Sequence, residues 1–411
     1  MRSQTWKSCL GVLCLLAAGT ANAAKISFSE KGFIDVGALV QTQFRMVQDG
    51  SPDKKNPSYD FLFGRARILL SGQFDDHIGF LIDTDVTYGA AVIGGTAGSV
   101  AWNSNIYLLD AIATYKVSKE LIIDAGLTLP AFSHNELTSG GKYASITRFS
   151  TRTNSPFPPN ATRGLRDVGI VLRGLLLDDR LYYRLGVFNG VQGGTSQTGS
   201  ATNGLATGTA TVNGGDAPLF GGMLRFNIMG KEDGFSFCQV CFAKSPLMSI
   251  GVSGVYQNNA IRPLVPTGAG TSQYIGQHAW TTAAADFFTD VPFTPDIELS
   301  ADILFSKYFV GDNAVPSGND LEALVHLRFG DFGIFGQFEW FDSETKYVGK
   351  GNTLGDSKIY RAGLNWFLLQ NIYKITYEVS FQDKEQAGNT VDATAVPPNV
   401  WTMVLQFSTT F

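Results

Sequence analysis

From residue 32 onward the chain alternates apolar and polar side chains with a period of two, and few folds accept that pattern over such a length. In "HIGFLIDTDVTY" (His77–Tyr88), Ile78, Phe80, Ile82, Val86 and Tyr88 share one face, while His77, Asp83, Asp85 and Thr87 share the other. In "NIYKITYEVSFQ" (Asn371–Gln382), Tyr373, Ile375, Tyr377, Val379 and Phe381 oppose Lys374, Thr376, Glu378 and Ser380. Successive side chains of a strand point to opposite faces, and helical spacing fits none of these runs. About sixteen such segments are expected, near 32–45, 60–74, 77–88, 104–117, 120–129, 165–177, 180–190, 217–229, 246–259, 273–289, 295–309, 319–329, 332–342, 357–368, 371–382 and 399–411.

The connections alternate in length. Phe74–His77, Val117–Glu120, Leu177–Arg180, Phe329–Phe332 and Leu368–Asn371 are tight, and between them lie long Gly-, Asn-, Ser- and Thr-rich stretches, the longest at 130–164 and 191–216. A short/long rhythm puts all tight turns at one end of an antiparallel up-and-down meander. A two-sheet sandwich would also bury an apolar face. Three features favour a transmembrane barrel instead. The polar faces mix charges with Gly, Ser and Thr, as a wet lumen does. Aromatics stand at segment ends (Tyr88, Tyr107, Trp340 and Trp366), as a membrane interface requires. Most segments have ten or more residues, enough to cross hydrocarbon when tilted. An even number of strands closes without a free edge, which lipid demands because it cannot hydrogen-bond one.

Composition narrows the alternatives. Charged residues make up 16% of the 411 residues, against about 25% in typical soluble domains. The N-terminus reads as a cleaved signal peptide over residues 1–23. Arg2 and Lys7 precede an apolar run from Cys9 to Ala18, too short to span a bilayer, and Ala21-Asn22-Ala23 offers small residues for cleavage after Ala23. Losing Arg2 and Lys7 takes the formal charge from −5 to −7, and losing Cys9 and Cys14 leaves only Cys238 and Cys241. The domain expected is a single barrel over 24–411. Net acidity without a basic cluster gives no support for nucleic-acid binding. His77, His134, His278 and His326 fall in no nucleophile or metal-ligand motif, so neither an enzyme nor a metal or other cofactor is expected. Cys238 and Cys241 sit in a connection of the tight-turn end. There an oxidising compartment favours a disulfide over a redox pair or a metal site.

Two stretches carry a resemblance. "LLDAIATYKVSKELIIDAGLTLPAFSHNELTS" (Leu108–Ser139) followed by "RDVGIVLRGLLLDDRLYYRLGVFNG" (Arg166–Gly190) resembles the phosphate-selective porin family of the O/P type, and so does "GRARILLSGQF" (Gly64–Phe74) ahead of a tight turn. The match covers about a third of the chain well. It implies a sixteen-stranded porin of the Gram-negative outer membrane, commonly a homotrimer, with its third long loop folded into the pore. The third long connection here is the one after Leu129. Phe132, Tyr143 and Phe149 are its candidate anchors, and Glu136 stands against Lys142, Arg148, Arg152 and Arg163, which would make a constriction locally positive.

Alternation also names the lumen-facing charges. The pore-lining candidates are Arg65, Arg67, Asp83, Asp85, Asp110, Asp124, Glu136, Lys142, Arg148, Arg152, Arg173 and Arg184. Lys116, Asp167, Arg225, Asp296, Glu298, Asp302, Glu322, Arg328, Glu339, Arg361, Lys374 and Glu378 also face inward. For any single arginine the competing role is a salt bridge to a neighbouring acid. Both signs occur in patches, which orients dipolar solutes and moderates ion choice. The expected function is passive diffusion of small hydrophilic solutes and ions. A phosphate or oxyanion pore is one alternative, and a plugged interaction barrel is another. The last segment, Trp401–Phe411, puts Trp401, Met403, Leu405, Phe407 and Phe411 outward. Outer-membrane barrels end on such an aromatic strand, so Phe407 and Phe411 are expected to address the barrel-assembly machinery, and outer-membrane lipid is the expected surrounding.

Overall fold

The computed structural model describes residues 24–51, 53, 55–88, 104–148, 156–158, 161–162, 165–192, 213–232, 234–261, 264–268, 271–274, 277–310, 317–344, 356–384 and 401–410. The expected signal peptide (1–23), Phe149, Arg152, Arg163, the side chain of Tyr88 and Phe411 lie outside the described residues.

The strands are β1 (Ala24–Ser27), β2 (Phe33–Val47), β3 (Ser58–Gln73), β4 (Ile78–Tyr88), β5 (Ser104–Lys116), β6 (Ile122–Thr128), β7 (Asp167–Leu176), β8 (Leu181–Phe188), β9 (Leu219–Met229) and β10 (Leu247–Ile261). After them come β11 (Leu264–Gly268), β12 (Thr271–Tyr274), β13 (His278–Thr294), β14 (Ile297–Phe309), β15 (Gly318–Phe329), β16 (Phe332–Ser343), β17 (Ser357–Asn371), β18 (Tyr373–Lys384) and β19 (Trp401–Thr410). One short helix, α1 (His134–Leu137), is capped by the Ser133 hydroxyl, which accepts from the Glu136 backbone N–H at 3.2 Å. Strands β2 to β10 and β13 to β19 form one antiparallel sheet of sixteen, each paired with its chain neighbour. Pairing of β9 with β10 joins the two runs, and pairing of β19 with β2, from Thr402↔Val47 to Thr410↔Leu39, closes the cylinder. Strand β1 folds back on β2 as one extra strand, and β11–β12 is a separate hairpin in the connection between β10 and β13.

Tight turns gather at one rim, as the rhythm requires. At three of them the chain takes left-handed backbone, at Leu177, Asp178 and Asp179 (φ 54°, 53° and 68°) between β7 and β8, at Gly330 (φ 57°) between β15 and β16, and at Gln370 (φ 46°) in the turn from β17 to β18. Asp and Gly are the residues that tolerate this geometry at least cost. The exception at this rim is the β9–β10 connection, which runs over residues 230–246.

Polarity is inside out. Phe61 is 80% exposed and Ile106 72% on the outer wall, whereas Glu298, Glu322, Ser300 and Asp302 on inward faces are buried. Outer aromatics pair across strands, Phe332 with Trp366 (5.8 Å between centroids) and Phe381 with Trp401 (4.9 Å). An apolar belt around a closed ladder suits hydrocarbon, where the hydrogen bonds are satisfied internally. Val252, outward near the middle of β10, is a direct test. Val252→Arg is expected to destabilise the barrel in bilayers by about 2–4 kcal/mol, read from denaturant titrations in lipid vesicles.

Two expectations need correction. Tyr107 does not stand on the outer face. It pairs with Asp85 and lies between the exposed Ile106 and Leu108. A bulge between Asp83 and Thr84 of the β4–β5 ladder shifts the phase, so that Leu109 and Asp110 are both buried. Second, the lumen is not wet all round. Phe132, Ala144, Phe157 and Ala161 from the β6–β7 connection, with Val240 from the β9–β10 connection, share one buried cluster with Val171, Phe188, Leu219, Val255, Trp280, Leu304, Tyr308, Leu324, Phe335, Phe341 and Phe367 of the inward wall. Alternation says which face a residue takes, not whether water or an inserted segment meets it.

Candidate pore lining

The inward faces divide into two halves that use charge differently. On the half formed by β3 to β7, four arginines each stand in front of a carboxylate. Arg67 bridges Asp85 (2.8 Å) and Asp83 (3.8 Å). Arg166 grips Asp110 through Nε (3.1 Å) and Nη2 (3.0 Å). Arg173 donates to Asp124 at 2.6 Å, and Asp124 also accepts from the Thr114 hydroxyl at 2.7 Å. Arg148, from the β6–β7 connection, lies 3.1 Å from Glu136 of α1. In every pair the guanidinium is the more exposed partner, with 12–16% of its side chain accessible against 0–8% for the carboxylate. The cation therefore meets water and its counter-charge is screened behind it. Burial pushes the Glu136 carboxyl upward, and Arg148 and Arg166 pull against that shift.

Arg65 sits beside this group. It donates to the Gln41 side-chain oxygen at 2.6 Å, and its guanidinium is 5.7 Å from the Tyr143 ring. Lys142 is exposed, and its carbonyl accepts from the N–H groups of Gln239 and Val240 (3.2 Å each). At the tight-turn rim of the same half, a cavity of about 310 Å³ is bounded by Ser71, Gln73, Thr114, Lys116, Arg173 and Phe235.

On the opposite half the pairs are sealed. Arg225 with Asp286, Arg328 with Glu298, and Arg361 with Glu339 are all nearly or fully buried. Arg184 faces inward, as its parity requires, but is fully buried. Phe235 lies over its guanidinium at 4.6 Å, and the Phe235 carbonyl accepts from it at 3.1 Å, so it does not line open space. Lys374 and Glu378 bind the β6–β7 connection. Lys374 donates to the Tyr143 carbonyl, and Glu378 accepts from the Ile146 N–H (2.8 Å) and the Thr147 hydroxyl (3.0 Å). Asn365 donates to the Ala144 carbonyl at 2.9 Å, and Trp280 to the Pro156 carbonyl at 2.8 Å. Asp296 lies in the exposed turn before β14.

The β9–β10 connection also turns inward. Its Cys238 and Cys241 form a disulfide. Phe237 pairs in parallel with Thr138 and stacks on the His134 ring (5.1 Å), whose other side meets Phe288 (3.9 Å). His134 Nε2 lies 3.0 Å from Glu232, and Nδ1 lies 3.1 Å from Asp302. Burial opposes charge on His134, but the two carboxylates outweigh it and hold its pKa up at about 9.

Sequence parity missed Arg166, which stands one residue before β7, and Phe235 and His134, whose settings depend on connections. The only sign of Arg166 was its place in the "RDVGIVLRG" motif. Arg173→Met tests the pairing. It strands the buried Asp124 and is expected to cost about 3–5 kcal/mol, seen as a lower unfolding temperature in detergent. Adding Asp124→Asn is expected to recover most of the loss.

No family model matches the sequence, and no curated protein matches it. Solved structures do share the fold. An anion-selective porin from Comamonas acidovorans superposes with a TM-score of 0.58 at 12% identity, covering 93% of this chain and 100% of that one. The outer membrane channel DcaP of Acinetobacter baumannii gives 0.55 at 12% identity, covering 94% and 99%. OmpT, an outer membrane protein of Vibrio cholerae solved in a trimer form, gives 0.52 at 9% identity, covering 93% and 100%. The fold is that of the sixteen-stranded porins. Identities this low carry the fold alone, and the finer likeness to the phosphate-selective O/P type rests on the sequence motifs of Gly64–Phe74, Leu108–Ser139 and Arg166–Gly190.

Proposed function

We propose that this chain is an outer-membrane channel for passive diffusion of small hydrophilic solutes and ions. The observation that carries the reading is the half-lumen of β3 to β7, where arginines meet water in front of buried carboxylates. A wet, charged passage inside an apolar belt has little use in a purely structural barrel. In planar bilayers the purified protein is expected to give discrete steps of the order of nanosiemens, and silence would favour a plugged interaction barrel, the reading that the packed apolar interior supports.

The same arrangement favours a second, finer reading, in which the passage prefers anions and takes oxyanions such as phosphate. The chain is acidic overall, but in the pairs of Arg67, Arg148, Arg166 and Arg173 the more accessible charge is positive, and local field governs ion choice. The Comamonas acidovorans porin of the same fold is an anion-selective one, which agrees with this reading. A reversal potential of cation sign in a KCl gradient, with no competition by phosphate, would defeat it.

Further proposals complete this reading. The chain is exported through a cleaved signal over 1–23, and residues 24–411 form the barrel in outer-membrane lipid. Copies associate as a homotrimer, in keeping with the trimer form of the Vibrio cholerae protein. Phe407, exposed on the outer face of β19, and Phe411 after it present the aromatic terminus to the barrel-assembly machinery. Deleting Phe411 is expected to cut assembled, heat-modifiable protein severalfold while the channels that do form conduct normally. Undiminished assembly would remove the role.

A further inference from the structure

The β9–β10 connection belongs to the rim of tight turns, yet it spans residues 230–246 and is bound inside the barrel rather than below it. At one end, Tyr182 of β8 donates to the Gly234 carbonyl (3.2 Å) and Arg184 donates to the Phe235 carbonyl. At the other, the Cys241 and Phe242 N–H groups donate to Asp290 of β13 (2.8 Å) and Glu298 of β14 (3.0 Å). The Phe242 ring packs edge-on against Phe367 of β17 at 5.2 Å. The segment thus crosses the lumen from β8 to β17. Along the way it is bonded to the β6–β7 connection. Phe237 N–H donates to the Leu137 carbonyl (2.9 Å), and Ser139 N–H donates to the Phe237 carbonyl (3.1 Å). Ala144 N–H donates to the Gln239 side chain (3.2 Å).

We infer that the β9–β10 connection is a second constriction, placed toward the periplasmic exit, that confines solute to the β3–β7 wall and sets the size limit there at Phe235. Three observations support it. The buried polar and aromatic contacts just named hold the segment across the bore, so it is not a dangling turn. Phe235 is half-buried and borders the cavity of about 310 Å³, facing Ser71, Gln73, Thr114 and Lys116. The Cys238–Cys241 disulfide closes a four-residue loop that ends at the second anchor, where it stiffens the segment locally. A solute that has passed the arginines must therefore leave between an aromatic ring and a wall of hydroxyl, amide and ammonium groups.

The inference rests on the channel reading, and the experiment separates the two. Single-channel conductance and the permeation of a graded series of neutral sugars into proteoliposomes are measured for the parent, Phe235→Ala, Phe235→Trp, and a variant in which residues 231–245 are replaced by a short Asn-Gly turn. Phe235→Ala is expected to raise conductance and admit the next larger sugar, and Phe235→Trp to lower both. The turn replacement is expected to raise conductance about twofold or more. If that variant does not fold, the two Phe235 substitutions decide alone. A parent that conducts with unchanged values across the folded variants overturns the second constriction and leaves the channel intact. A parent that is silent while the turn replacement conducts supports the constriction in its strongest form, as a plug. Silence in the parent and in every folded variant overturns both.

Discussion

Converting Arg67, Arg148, Arg166 and Arg173 together to Gln is expected to abolish anion preference, lowering the anion-to-cation permeability ratio by about an order of magnitude. Each of these guanidiniums meets the passage with its carboxylate screened behind it. Removing the cation exposes the acid, so the local field changes sign instead of merely vanishing. The matching control lies on the sealed half. Arg361→Gln removes a cation from the pair with Glu339, which is buried on both sides. It is expected to lower stability and to leave the permeability ratio unchanged. Equal effects from both sets would mean that the lumen does not divide into a wet half and a sealed one.

The second large effect concerns His134. Its ring lies between Phe237 and Phe288 while its two nitrogens face Glu232 of the β9–β10 connection and Asp302 of β14. Arg225 of β9 stands near Glu232 (3.7 Å) and pairs with Asp286 of β13. His134→Phe keeps the stack and removes the cation shared by two buried carboxylates, leaving Glu232 with Ser249 and Arg225 and Asp302 with the Gln239 amide, at an expected cost of about 3 kcal/mol. The pH dependence has a definite sign. His134 holds its proton up to about pH 9 in the folded protein, against an ordinary value of 6.5. Its contribution is complete below 6.5 and disappears as pH rises through 9. Glu232 contributes in the opposite sense. Burial pushes its carboxyl up, but His134 and Arg225 prevail and hold it below its ordinary value. That contribution is complete above pH 4.5 and fades as pH falls through the lower folded value. The joint between the two connections is therefore firm near neutrality and loosens in alkali. Channel noise is expected to rise between about pH 7 and 9 in the parent and to be flat there in His134→Phe.

The barrel itself was legible because strand parity is local. "TMVLQFST" alone assigns Thr402, Gln406 and Ser408 inward and Met403, Leu405 and Phe407 outward, and β19 obeys it. The limits appear where parity is broken or overridden. The bulge at Asp83/Thr84 turned Tyr107 from lipid to lumen. Pro292, which ordinarily marks a strand's end, is accommodated in the last rungs of β13, so that strand runs to Thr294 and not to 289. Among the site residues, Arg67, Asp83, Asp85, Asp110, Asp124 and Arg173 were found by alternation. Which of them meets water was not, because exposure of Arg173 and burial of Arg184 depend on where residues 230–246 lie. Nothing in a turn sequence at the tight rim announces that it will fold inward.

Thiol labelling of single introduced cysteines measures the water path directly. Ser71→Cys and Thr114→Cys lie on the wall beside the cavity, while Ser300→Cys and Ser306→Cys lie on the filled half. The native Cys238 and Cys241 are held in their disulfide and stay unreactive. A small charged methanethiosulfonate reagent, added during single-channel recording, is expected to modify the first two and to change conductance stepwise. The second two are expected to show no reaction. Modification at Ser300 and Ser306 with none at Ser71 and Thr114 would place the passage on the other half of the barrel and contradict the account.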